Sequence, residues 1–173
     1  MMQVSGGVPR PGAKQEGARR EAQLACFRLG SEFYALDIMK IREIIKPQKL
    51  TPVPRAPSFV EGVINLRGAV IPVVDMRRRF GLPVDPHQQK SRIIICSLSE
   101  KIIGLMVDEV TEVRNFTREE VQPPPHFMQS AATDFMIGVC RVRGELLIIL
   151  DVEKILTSDE KIDFATLQLS KSS

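Results

Sequence analysis

The sequence predicts an all-β protein made of two related units. Three observations predict it. Between residues 23 and 156 the chain holds 15 Ile and 14 Val against 12 Leu and six Ala. β-Branched side chains are stiff at χ1 and fit a pleated surface, so this ratio favours sheet over helix. Short apolar runs separated by turn residues recur about every ten residues, the spacing of small barrels or sandwiches. The chain also repeats itself. Phe59–Phe80 (FVEGVINLRGAVIPVVDMRRRF) lies over Phe135–Leu156 (FMIGVCRVRGELLIILDVEKIL) at an offset of 76, with six identities in 22 positions. Upstream, Ala35–Ile44 lies over Gly104–Val113 at an offset of 69, in the same order. Two amphipathic hairpins can resemble each other by chance. The preserved order points instead to two repeat units, about 33–80 and 102–156, each too small to hold a comfortable core alone.

Element by element, the apolar runs place strands at Gln23–Leu29, Phe33–Asp37, Glu43–Lys46, Gly62–Asn65 and Ala69–Asp75. A second series follows at Ile93–Ser97, Ile102–Val107, Glu112–Asn115, Met136–Arg141 and Leu146–Leu150. Helical pieces are brief: Met39–Arg42, Ser58–Glu61, Arg77–Phe80, Arg118–Val121 and Val152–Leu156. Thr117 with Glu120 forms a capping box for the fourth. In both repeats an Arg-Gly pair separates two strands, and glycine there supplies the positive φ of a tight hairpin. Asp75 and Asp151 stand where short helices begin, so capping is their simplest role. Residues 1–22, rich in Gly, Pro and Arg without an apolar period, read as a flexible tail. Residues 157–173 read as a second tail or a short docked helix.

Composition narrows the function classes. Lys plus Arg is 24 against 21 for Asp plus Glu, a net charge of +3. That balance argues against an electrostatic nucleic-acid binder. The longest stretch without a charged side chain, Gln122–Thr133, holds three prolines, so no span and no direct membrane insertion is expected. With no apolar block in the first nine residues, a cytoplasmic protein is expected. Cys26, Cys96 and Cys140 are odd in number, widely spaced and set in apolar runs, the pattern of buried free thiols rather than of disulfides or a zinc site. His87 and His126 have no neighbouring Cys, Ser elbow or second His, so catalytic and metal sites are expected to be absent. Arg77-Arg78-Arg79 lacks the interleaved aromatics of a phosphate platform and reads as a solvated helix face. What remains is surface for protein contact. Ile38, Ile41, Val107 and Val110 are candidates for it, although such residues are more often core.

Longer motifs carry a family resemblance. FRLGSE-x-YALDI-x-KIREI, then PVPRAP-x-FV-x-GVINLRG-x-VIPVVD, resembles the CheW family of bacterial chemotaxis coupling proteins, and GLMVDEV-x-EV and TREEVQPPP agree with it. The resemblance covers about Ala22 to Leu156. It implies two intertwined five-stranded SH3-like β-barrels with a few short helices, no catalytic activity and no cofactor. It implies a cytoplasmic adaptor, recruited to membrane receptor arrays. There it would join the tip of a methyl-accepting chemotaxis receptor to the regulatory domain of a CheA-type histidine kinase. A coupler for a non-chemotactic pathway, such as twitching motility or cyclic-dinucleotide signalling, is the alternative within the same family. Residues matching the receptor-binding region are Ile38, Ile41, Glu43, Gly62, Arg67, Gly104 and Val113. Phe127, after the Pro-rich run, matches a kinase-binding position. Two structural alternatives stay open: Arg67 pairs internally with Glu43 or Glu61, and Phe127 plugs its own barrel. Met76 and Gln122 depart from the family pattern, which has Leu at the first position and often a basic residue at the second.

Overall fold

The computed structural model describes residues 21–83, 89–99, 101–125 and 134–156. Ten strands run in chain order: β1 (Glu21–Leu29), β2 (Glu32–Asp37), β3 (Ile41–Ile45), β4 (Val60–Leu66), β5 (Ala69–Asp75), β6 (Arg92–Leu98), β7 (Lys101–Val107), β8 (Glu109–Thr117), β9 (Met136–Val142) and β10 (Glu145–Leu150). They form two five-stranded sheets, ordered β8-β1-β2-β10-β9 and β3-β6-β7-β5-β4. These are the two intertwined SH3-like barrels. The first is closed by the beginning and end of the chain, the second by its middle.

The repeat and the barrel are therefore different units. Advancing every strand by five turns one sheet order into the other, so the barrels are related by a pseudo-two-fold. The correspondence reaches the register. Cys26 pairs with Ala35 in β1–β2, and Ile95 pairs with Gly104 in β6–β7. Even the bulges recur: Cys26/Phe27 faces Glu112 and Val110 as Ile95 and Cys96 face Glu43 and Ile41. Each half of the chain gives its leading hairpin, β1–β2 or β6–β7, to one barrel and its remaining three strands to the other. Neither half closes a sheet by itself.

Burial follows this exchange. The central core lies between the sheets and takes Phe27, Tyr34 and Ile148 from one, Ile94, Leu105 and Val107 from the other. Smaller cores fill each barrel: Leu24, Cys26, Phe116 and Leu147 in the first, Ile64, Ile71, Ile93 and Ile95 in the second. No helix among the described residues is long and apolar enough to cross a membrane.

Several sequence expectations change in detail. Glu21 and Ala22 are not tail: they pair with Thr117 and Phe116 in β1–β8. Ser58–Glu61 is not helical. Val60 already pairs with Val74, and Ser58 and Phe59 form a turn closed by the Val60 amide donating to the Pro57 carbonyl at 2.9 Å. Met39–Arg42 is a single 3-10 turn over Ile38–Lys40, and the helix after β5, α1, spans Met76–Arg79. Asp75 and Asp151 do cap, accepting from the amides of Arg77 and Glu153 at 3.0 Å each. Glu120 accepts from the Thr117 amide at 2.7 Å. The Arg-Gly turns need more than glycine. Arg67 and Gly68 sit at φ 51° and 88°, Arg143 and Gly144 at 52° and 82°, so both central residues are left-handed, as a two-residue primed hairpin turn requires.

The basic run is not a solvated face. Arg77 has an 11% exposed side chain and holds Asp108 through Nε at 2.9 Å and Nη2 at 2.5 Å. The Arg79 guanidinium lies 4.4 Å from the Phe59 ring centre and 5.0 Å from that of Phe135. Its Nε donates to the Ile155 carbonyl at 2.7 Å. Phe59 and Phe135 are repeat counterparts, so Arg79 ties the two repeats together by stacking on a ring from each. Arg78 is the most exposed of the three and pairs with Asp75 and Glu61.

Candidate protein-binding site

The titratable groups of the core are poorly suited to catalysis. All three cysteines are free and buried. Burial, with a smaller push from Glu112, raises the Cys26 thiol to about 11, and burial raises Cys96 to about 12. Burial likewise raises Cys140. Thiols held this way are protonated at neutral pH and are weak nucleophiles. Burial also pushes the Tyr34 phenol up, helped by its hydrogen bond to Glu32 at 2.5 Å. His87 and His126 lie outside the described residues.

Of the receptor-binding candidates, four gather around β3. Ile38 opens the 3-10 turn that carries the chain from one barrel to the other, and Asp37 caps it through the Met39 amide at 2.9 Å. Ile41 pairs with Cys96 and packs on the central core. Glu43 points to the opposite face, where Arg67 Nη2 donates to its Oε2. The internal pairing of Arg67 is thus with Glu43. The arginine side chain stays 69% exposed, so pairing does not withdraw it from a partner.

The other three are elsewhere. Gly62 is buried at a bulge of β4 with φ +153°, and a Cβ there would stand 2.6 Å from the Thr51 carbonyl oxygen. Gly104 is buried in β7, where a Cβ would come within 2.8 Å of Ile93 Cγ2. Both glycines let strands and neighbours approach, and neither offers a side chain to a partner. Val113 lies on β8 in the other barrel and is 50% exposed, on the opposite face from Glu112 and Arg114. Val107 is core, and Val110 packs on the central core. Phe127 lies outside the described residues.

Three exposed apolar residues escaped the sequence reasoning: Met39, Ile44 and, on β9, Ile137, which is 55% exposed. Met39 is 84% exposed beside Ile38, and Ile44 is 38% exposed on the face that Ile41 shares. A signal for Ile44 was present, because it is the repeat counterpart of Val113 at an offset of 69. The Glu43–Arg67 pair has a counterpart too: Arg143 Nη1 lies 3.6 Å from Glu112 Oε2. The repeat duplicates the ion pair on both barrels. An exposed pair of this kind contributes little to stability.

Residues 23–160 match the family model of the CheW-like domain. The chain belongs to the CheW family. The chemotaxis protein CheW of Klebsiella aerogenes is 32% identical over 148 residues, covering 86% of this chain and 89% of that protein. The CheW of Treponema pallidum is 34% identical over 149 residues, covering 84% and 88%. Among solved structures, the scaffolding protein TtCheW from Thermoanaerobacter tengcongensis matches with a TM-score of 0.74 at 34% identity, covering 80% of this chain and 90% of that one. Protein FrzA of Myxococcus xanthus is 30% identical over 141 residues, covering 80% of this chain and 88% of that protein. The matched segment spans all ten strands but for the first two residues of β1.

Proposed function

We propose that this CheW-family chain is a non-enzymatic adaptor. It links the cytoplasmic tip of a chemoreceptor to the regulatory domain of a CheA-type histidine kinase, and works where membrane receptor arrays assemble. The observation that carries this reading is the surface around the edge strand β3: exposed Met39 and Ile44 with half-buried Ile38 and Ile41, and on the strand's other face a solvent-facing Arg67 held by Glu43. An amphipathic receptor helix finds apolar contacts there and a guanidinium for its side-chain or backbone oxygens. Val113 extends the apolar contact on the other barrel, and Gly62 and Gly104 act through the strand geometry behind it. Phe127 is assigned to the kinase contact.

Co-sedimentation of the full chain with receptor cytoplasmic fragments and kinase, read by autophosphorylation, tests this. The chain is expected to bring kinase down with receptor and to raise phosphorylation. Equal kinase recovery and activity with and without the chain would sink the proposal. A swimming assay on a deletion strain separates chemotactic output from the twitching or cyclic-dinucleotide alternative.

A further inference from the structure

The pseudo-two-fold gives every position in one barrel a counterpart in the other, so the two interiors can be compared residue by residue. In the second barrel, Ile95 is 1% exposed inside the core, and Ile45 and Leu66 pack against that core. Their counterparts in the first barrel are Cys26, Arg114 and Val142. Cysteine and valine are smaller than the residues they replace. Arg114 removes an aliphatic side chain outright: its guanidinium stands 5.9 Å from the Phe116 ring centre and 3.5 Å from Glu112. Phe33 in place of Ile102 and Leu146 in place of Val70 are larger and restore part of the lost volume. A cavity of about 250 Å³ results, with Cys26, Phe33, Val142, Leu146 and Leu147 as its apolar lining.

The geometry points to this cavity as a binding site for a small, uncharged, largely apolar molecule of one or two fused rings. Size sets the first limit. A dry engineered cavity of about 150 Å³ takes up benzene, and pockets for drug-sized ligands begin near about 300 Å³. Charge sets the second. The polar residues at the site include two arginines, Arg114 and Arg143, and two glutamates, Glu112 and Glu145. They balance, so an ionised ligand gains no net attraction, while a single N–H or O–H finds a carboxylate. The site is on the first barrel, whereas the Glu43–Arg67 pair is on the second.

Titration of the isotope-labelled full chain with indole, followed by amide shifts and melting temperature, tests the assignment. The expected result is saturable shifts at Cys26, Phe33, Val142 and Leu146, a Kd of about 1 mM or tighter, and a higher melting temperature. Cys26→Ile and Val142→Leu each import the residue the other barrel uses. Each should weaken binding by about tenfold or more while the spectrum stays dispersed. Val142→Leu adds a single methylene, so it decides the matter if Cys26→Ile overpacks. Shifts that fail to saturate, map to other residues, or persist unchanged in a folded Val142→Leu variant would overturn the assignment.

Discussion

Replacing Asp108 by asparagine should cost about 3 kcal/mol of stability at neutral pH. Asp108 stands at the crossover from β7 to β8 and is 7% exposed. It accepts from Arg77 Nε at 2.9 Å and Nη2 at 2.5 Å, and from the Gly30 amide at 2.7 Å. Arg28 Nη1 lies 3.8 Å away. β1, α1 and β7–β8 thus converge on one carboxylate, which joins elements of both repeats. Removing one partner of a buried pair leaves the other's charge poorly solvated, at about 3–5 kcal/mol. Arg77 keeps its bond to the Pro83 carbonyl, and asparagine still accepts once, so the lower end applies. Urea unfolding of parent and variant measures the difference. A pH series adds a second signature. Burial by itself would raise the Asp108 carboxyl, but the Arg77 and Gly30 hydrogen bonds and the charges of Arg77 and Arg28 outweigh it and hold the group below its ordinary value. A lowered native pKa means the unfolded chain takes up the proton first as pH falls. The stabilisation is therefore complete above the ordinary carboxylate pKa of about 3.9 and fades as pH drops through the native value. The variant should lose stability at neutral pH and show a shallower acid limb below about pH 4. A loss under about 1 kcal/mol, or an unchanged acid limb, would refute the reasoning.

Other outcomes follow from the same geometry. Arg67→Glu and Arg143→Glu should each change stability by less than about 1 kcal/mol, since both break exposed pairs. Only Arg67→Glu should abolish receptor co-sedimentation and kinase activation, and matched binding losses would assign the arginines to shared architecture instead. Gly62→Ala should lower stability by about 2 kcal/mol or more in urea unfolding, because its Cβ meets backbone and its φ disfavours alanine. Any loss of receptor binding in that variant should scale with its loss of structure. The native thiols should resist a disulfide-exchange reagent at pH 8 and react together on unfolding, in line with their raised pKa values, and rapid labelling of one native thiol would contradict the packing. A fragment spanning residues 23–89 should be molten or insoluble by near-UV spectroscopy and amide dispersion. It keeps the β1–β2 hairpin without β8 or β10, and β3 without β6. A well-dispersed monomer would count against the exchanged-strand arrangement.

Much of this protein is local and periodic, and that part is legible in the sequence. β-Branched runs and turn residues mark all ten strands, because side-chain stiffness and backbone φ are properties of each residue and its neighbours. The caps at Asp75 and Asp151 belong to the same class, needing only an acceptor beside its own helix. The repeat announces two related units, and the family motifs add that the barrels are intertwined. Only the tertiary structure decided which residues meet. Arg77 becomes a buried clamp rather than a solvated charge because Asp108, 31 residues on, is brought to it by the barrel exchange. Gly62 and Gly104 prove to be buried spacers, since the atoms that would crowd a Cβ come from other segments. Exposure is likewise a property of the assembled surface: Ile41 packs on the central core while Ile44, three residues on in the same strand, faces solvent. The hollow in the first barrel is the furthest from sequence. It arises from small volume differences at Cys26 and Val142, and from the path Arg114 takes toward Glu112, quantities that have no meaning until the two barrels are closed.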